Sequence, residues 1–334
     1  MKAMVLAAGL GLRMRPLTLL RAKPVLPVLD RPLIAYTLER LARVGVREVV
    51  VNLHHLPDTV RAALGDGRRF GVRILYVHEP EILGTGGGPR RVRERLGREE
   101  VLLVNGDMYF DFDLRELVAR HRRSGAAATL ALRRHPDPGA YSAVVSDRRS
   151  RILAIAGKPK PATGTVSMFA GIHVLDPRLL ERLPDGVSDS VRDLYLPLLA
   201  EGAQLQGVRQ TGAWYDFGRP SLYRDAQLRM LAGRGRRQLV VGRGARVAAS
   251  AARRSVIGAR SRVAAGGRVV SSILWEDVVV EAGALVTRAI VTAGGVVRAG
   301  DRAADVIVMP RGALGAGEGE AFEEHGDMAW VRIA

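Results

Sequence analysis

Apolar residues fall into two alternating textures over the first 132 positions. Short runs rich in Val, Leu and Ala read as buried strands: Ala3–Ala7, Glu48–Leu53, Arg73–Val77, Val101–Val104 and Ala127–Leu132. Between them, apolar positions recur every three to four residues over Pro32–Val44, Asp58–Leu64, Pro89–Leu96 and Leu114–Arg123. That is the period of a helix with one buried face. Strands alternating with helices predict an α/β unit, a mainly parallel sheet covered on both faces. Such sheets bind ligands beyond the carboxyl ends of their strands, which directs attention to the loops after Ala7, Val77 and Val104.

The texture then changes twice. From 142 to about 232 it is mixed, with strand patterns at Ser142–Val145, Ile152–Ile155 and Val166–Val174 and helical ones at Ser190–Ala200 and Pro220–Ala232. After about 238 four similar segments follow one another. Their second apolar positions, Val241, Ile257, Leu274 and Val291, are spaced 16, 17 and 17 residues apart. Within a segment, apolar residues recur near every sixth position, as from Val241 to Val247 and from Ile257 to Val263. Three hexads make one triangular coil of about 18 residues, so this region is expected to be a hexapeptide β-helix. The predicted organisation is an α/β-type domain over 1–235, a β-helix over 236–312 and a C-terminal tail over 313–334.

A length of 334 residues agrees with more than one core. There is no cysteine, which excludes disulfides and thiolate metal sites. No apolar run approaches the roughly 18 residues of a membrane span, and the N-terminal apolar run is too short for a signal peptide. A soluble, cytoplasmic protein without a membrane partner is expected. The formal net charge of +17 suggests nucleic acid, but the 51 basic residues are 47 Arg and 4 Lys, scattered over helices without interleaved aromatic residues. No nucleic-acid partner is expected. Anionic phosphate substrates account for part of the charge.

The chemistry concentrates at Leu6-Ala7-Ala8-Gly9-Leu10-Gly11-Leu12-Arg13-Met14-Arg15-Pro16-Leu17-Thr18, followed by Lys23-Pro24. A strand runs into a glycine turn whose N–H groups can approach phosphates closely. A dinucleotide fingerprint would need glycine where Met14 stands, and a Walker A loop would need a Gly-Lys-Ser/Thr ending. The stretch instead resembles the signature of the nucleotidyltransferases that make nucleotide-sugars, close to Gly-x-Gly-Thr-Arg-x-x-Pro-Leu-Thr followed by Lys-Pro. Val104-Asn105-Gly106-Asp107 and Trp214-Tyr215-Asp216-Phe217-Gly218-Arg219-Pro220 resemble the two segments that carry the family's metal ligands, and Glu79 to Gly88 resembles its nucleobase loop.

The resemblance implies a Rossmann-like, mixed but mainly parallel sheet of the nucleotidyltransferase fold, followed by a left-handed parallel β-helix. It implies Mg²⁺ on Asp107 and Asp216, phosphate chemistry by Arg13 and Lys23, and nucleotide contacts from Ala8, Gly9, Gly11, Gly84, Thr85, Gly86 and Gly87. Asn105, Tyr141, Lys158, Phe169 and Gly171 would line the sugar pocket. Substrates would be a nucleoside triphosphate and a sugar 1-phosphate. The base loop lacks a side-chain amide and resembles that of mannose-1-phosphate guanylyltransferase-like members, which favours GTP and mannose 1-phosphate. A uridylyl- or thymidylyltransferase, or a non-catalytic regulatory relative, are the alternatives. An acyltransferase is disfavoured because no His lies between His173 and His325. Two departures stand out: Leu12 where the family has Thr or Ser, and Gly157 where it has Glu before Lys-Pro. The β-helix is expected to mediate homo-oligomerisation.

Overall fold

A computed structural model describes residues 1–134, 141–160, 163–232, 234–248, 250–314 and 322–333. Packing divides the chain into two compact units, one of Met1–Leu10 with Ile34–Trp214, the other of Gly11–Leu33 with Tyr215–Ala334. The sequence boundary near 235 marks a change of texture, a different criterion.

The first unit is built on a nine-stranded sheet. Its strands are β1 (Lys2–Leu6), β2 (Glu48–Leu53), β3 (Arg73–His78), β4 (Val101–Asn105), β5 (Ala128–Arg134), β6 (Ala143–Ser146), β7 (Ile152–Ile155), β8 (Thr165–Leu175) and β9 (Leu205–Arg209). β4, β1, β2 and β3 lie side by side and parallel. β8 runs antiparallel to β4 and carries β6 and β5 as antiparallel neighbours. The sheet is therefore mixed, with a parallel half that presents the carboxyl ends of β1, β3 and β4. Ala3, Met4 and Val5 of β1 are completely buried, and so are Val101, Leu102 and Val104 of β4. This explains continuous apolar runs where a half-exposed strand would alternate.

The helices of this unit obey ordinary end rules. Helix α1 (Leu33–Arg43) buries Leu38 and Leu41 and ends in Arg40 and Arg43, cations suited to a carboxyl terminus. Helix α2 (Pro57–Leu64) opens with proline and Asp58 and stops at Gly65. One expectation changes: residues predicted as a glycine-rich loop form helix α3 (Gly84–Arg91). Four glycines disfavour a helix, so tertiary contacts decide it. β9 escaped the pattern because Gly207 interrupts it, and a β-carbon there would stand 2.4 Å from Leu132 Cδ1.

In the second unit three parallel ladders turn round a solenoid. On one face Val241, Ile257, Leu274, Val291 and Val308 stand in register, so the four predicted segments become five rungs. Ile257, Leu274, Val291 and Val308 are buried in its core. Corners at Arg254, Ser271, Arg288 and Asp305 adopt positive φ, near 50°. That conformation costs a non-glycine residue about 1–2 kcal/mol. Continuous ladders offset it, with Ser255 Oγ accepting from Ser272 N and Ser272 Oγ from Ala289 N inside the coil. The stretch predicted as a tail forms Met328–Arg332, antiparallel to the last rung, Val306–Pro310, and Phe322–His325, antiparallel in turn to Met328–Arg332.

Candidate active site

The first unit places Ala8, Asn105 and Asp107 at the carboxyl ends of the adjacent parallel strands β1 and β4. The Gly106 N–H donates to the Leu6 carbonyl at 2.9 Å, joining the end of β4 to the end of β1. A β-carbon on Gly106 would lie 2.8 Å from that oxygen, so glycine is required. Asp107 follows immediately and is half-buried. Beside it, Asn105 packs against Gly171 of β8. Gly171 has a φ of 74°, and a β-carbon there would stand 2.8 Å from Asn105 Nδ2. The pairing of β8 with β5 slips between Phe169 and His173, a bulge that turns this stretch. Trp214 Nε1 donates to the Ala170 carbonyl at 3.2 Å, and Tyr141 meets the Trp214 ring edge-on at 5.7 Å. Asn105, Tyr141 and Gly171 thus gather round one bulge. Phe169 starts that bulge and faces the His173 ring at 5.3 Å. Lys158 stands on an exposed turn after β7.

Helix α3 shows why its glycines are needed. A β-carbon on Gly84 would lie 2.5 Å from the Ser188 carbonyl, and one on Gly87 would lie 2.0 Å from the Gly186 carbonyl. The Gly86 N–H donates to Ser188 O at 2.9 Å. Thr85 Oγ1 donates to Asp189 Oδ2 and accepts from Ser190 N, both at 2.9 Å. Close packing accounts for this motif independently of any nucleotide.

Two buried residues that the sequence reading passed over tie these strand ends together. Asn52, at the end of β2, accepts from Ala7 N at 2.7 Å and donates to Glu79 Oε1 at 2.8 Å. Glu79 Oε2 accepts from Leu83 N at 3.1 Å. Both side chains are almost wholly enclosed, Asn52 at 2% and Glu79 at 1% exposure. A buried carboxylate persists only when hydrogen-bonded, so this chain fixes the entry to α3 relative to the end of β1. An Asn closing an apolar strand was the available signal.

The second unit assembles the cations. Gly11 has a φ of 64°, and a β-carbon would press on Thr18 Cγ2 at 2.8 Å. Its carbonyl accepts from Thr18 Oγ1 at 3.0 Å and from Met14 N at 2.8 Å, closing the turn that carries Arg13. Lys23 is 7% exposed, and its Nζ lies 3.7 Å from Asp216 Oδ1. Gly218 faces both Asp216 and Arg13: its β-carbon position is 3.6 Å from Asp216 Oδ2 and 3.8 Å from an Arg13 Nη. Arg13, Lys23 and Asp216 therefore converge across about 200 residues of sequence. Leu12 is exposed, where the family's hydroxyl would stand. Gly9 differs from Gly11, because a β-carbon there meets nothing within 4 Å.

Asp107 and Asp216 offer hard carboxylate oxygens, the donor type that Mg²⁺ takes alongside substrate phosphates. Asp216 keeps 24% of its side chain exposed.

Parallel strands flanked by helices, with a glycine turn following β1, define an α/β protein of the Rossmann-like kind. A nucleotidyl transferase family model matches residues 2–233, and a GlmU-like C-terminal hexapeptide model matches residues 232–303. The chain belongs to the nucleotidyl transferase family and carries a hexapeptide β-helix. It is 36% identical to a mannose-1-phosphate guanylyltransferase of Mycobacterium tuberculosis over 65% of this chain and 61% of that one. It is 32% identical to a UTP–glucose-1-phosphate uridylyltransferase of Synechocystis over 68% of this chain and 62% of that one. The chain thus spans about three-fifths of the length of these curated relatives. A solved Bacillus anthracis structure, described as a glucose-1-phosphate thymidylyltransferase, shares the fold with a TM-score of 0.59 and 22% identity, over 68% of this chain and 93% of that one.

Proposed function

We propose that this protein joins a nucleoside triphosphate to a sugar 1-phosphate, giving a nucleoside diphosphate sugar and pyrophosphate. The observation that carries the reading is the convergence of Arg13, Lys23 and Asp216 round the Gly11 turn. A phosphate oxygen of the sugar attacks the α-phosphorus, and the bond to the β-phosphoryl oxygen breaks. No protein nucleophile is needed, so the protein's work is positioning and charge neutralisation. The Gly9–Gly11 turn admits the phosphates closely. Lys23 and Arg13 stabilise the departing pyrophosphate. Asp107 and Asp216 would hold Mg²⁺, which when bound neutralises charge on the phosphate oxygens. Asn105, Tyr141, Lys158, Phe169 and Gly171 serve the sugar side, and α3 with Thr85 serves the base.

GTP and mannose 1-phosphate are the favoured pair, because the base loop lacks a side-chain amide and a mannose-1-phosphate guanylyltransferase is among the relatives. UTP with glucose 1-phosphate is the second reading, favoured by the Synechocystis relative. Pyrophosphate release with GTP, UTP, dTTP and ATP at equal concentration, each with mannose 1-phosphate and glucose 1-phosphate, tests both. A UTP specificity constant tenfold above that for GTP would refute the GTP assignment. No release with any pair would refute the reaction.

A further inference from the structure

The segment Gly11–Leu33 carries Arg13 and Lys23, yet the elements of secondary structure within it are all four residues long or shorter. It contains 3₁₀ turns at Leu12–Met14 and Lys23–Val25, a four-residue helix at Leu17–Leu20, and a hairpin of two-residue strands, Pro27–Val28 with Arg31–Pro32. Elements this short do not hold their shape in water unaided. Contacts elsewhere must decide where the two cations stand.

Those contacts lead to the β-helix. The Arg21 guanidinium, two residues before Lys23, donates to both carboxylate oxygens of Glu276 and lies 5.1 Å from the centre of the Trp275 ring. A paired charge and a cation–π contact together hold one orientation of Arg21. Trp275 is 1% exposed, and its Nε1 donates to Tyr223 Oη at 3.1 Å. The Tyr223 hydroxyl in turn donates to the Pro27 carbonyl. Further along, Leu29 N donates to Gln227 Oε1 at 2.9 Å, and Asp30 Oδ1 accepts from Ala259 N at 3.0 Å. Tyr223 and Gln227 belong to helix α4 (Pro220–Met230). Ala259, Trp275 and Glu276 belong to successive turns of the solenoid. The Gly11–Leu33 segment is therefore anchored from its middle to its carboxyl end, at Arg21, Pro27, Leu29 and Asp30, with Arg21 closest to Lys23.

We infer that Trp275 and Glu276 are positioning residues for nucleotidyl transfer, acting through Arg21 on the segment that carries Arg13 and Lys23. The β-helix is then a wall of the catalytic apparatus as well as a surface for assembly. The inference rests on the proposal that Arg13 and Lys23 meet the triphosphate.

The full-length protein supplies the test, with Glu276→Ala on the β-helix side and Arg21→Gln on the loop side. Hydrogen exchange would follow the Met14, Arg15, Val25 and Leu26 amides, all of which bond within the segment. Exchange there should accelerate at least tenfold in each variant. The triphosphate kcat/KM should fall at least tenfold while KM for the sugar 1-phosphate shifts less than twofold. The double variant should be no worse than Arg21→Gln alone, because that change already removes the contact that Glu276→Ala breaks. Unchanged exchange, or accelerated exchange with unchanged kinetics, overturns the inference. If the unaltered protein transfers no nucleotide, the functional reading fails, and the exchange result alone decides whether the segment is tethered through Glu276. Should Glu276→Ala misfold, Arg21→Gln carries the test, since Arg21 is partly exposed and its loss opens no core cavity.

Discussion

Gly9 and Gly11 stand two residues apart and do different work. Gly11 is held by backbone geometry, with positive φ and Thr18 against the site of a β-carbon. Gly9 has room for a side chain, so its value lies in what approaches it. Gly9→Ala is expected to leave the thermal midpoint within about 2 °C, a change below ~0.5 kcal/mol, while raising KM for the triphosphate at least tenfold. Gly11→Ala should instead lower stability by about 1–3 kcal/mol, through a strained φ and overpacking. Calorimetry beside steady-state kinetics separates the two; a Gly9→Ala enzyme with unaltered triphosphate kinetics removes Gly9 from the site. For Asp107, exchange of carboxylate for amide keeps the shape and removes the charge. Asp107→Asn should lower turnover at least a hundredfold, about 3 kcal/mol of barrier, with circular dichroism unchanged. Near-normal turnover in that variant would refute the metal role.

Among elements, α3 is the clearest case of packing overruling propensity. Gly87→Ala improves helix propensity by up to about 1 kcal/mol, yet it drives a β-carbon into the Gly186 carbonyl. The expected result is net destabilisation of about 1–3 kcal/mol, read from urea midpoints; a more stable variant would show that the Gly186 turn yields freely. β8 carries a second element-scale consequence. His173 is fully enclosed, hydrogen-bonded to the Tyr195 hydroxyl, and burial lowers its pKa from 6.5 to about 3, against the opposing pull of Asp189. Below pH 6.5 the unfolded chain takes up a proton that the folded chain refuses. Stability should therefore fall as pH drops from 6.5 towards 4, by at most about 1.4 kcal/mol per pH unit. His121, also lowered by burial, adds to the same trend. His173→Gln should flatten the dependence between pH 6.5 and 5; an equally steep fall in that variant would assign the effect to other groups.

At the scale of the whole chain, the β-helix raises the question of its free edges. The hairpin of Phe322–His325 and Met328–Arg332 continues one of the three ladders beyond its last rung. The other two ladders end at Val296–Val297 and Arg302–Ala304. Unpaired strand ends invite pairing between copies. Self-association through the β-helix remains our proposal, and light scattering at micromolar concentration should give at least twice the chain mass of 36.1 kDa. A monomer under those conditions would refute it. No helix among the described residues is long and apolar enough to cross a membrane.

Much of this protein was legible in order and spacing. Fully buried parallel strands leave unbroken apolar runs, and β2 spans Glu48–Leu53 as read from the sequence. Hydrophobic rungs at 16 and 17 residues specify a solenoid, because each coil must bury the same side of its neighbour, and the observed register repeats those intervals. The glycine turn, Arg13, Lys23, Asp107 and Asp216 can be proposed as site residues from the sequence because their order along it is distinctive. Three features could not be read in advance. The glycines of α3 mark close contact with Gly186 and Ser188, which lie about a hundred residues away. Asn52 and Glu79 become partners only when parallel strands align their ends. The Gly11–Leu33 segment leans on Trp275 and Glu276, about 250 residues further along. Local periodicity records which face of an element is buried. It carries no information about which distant backbone, carboxylate or ring covers that face, and only the folded chain decides it.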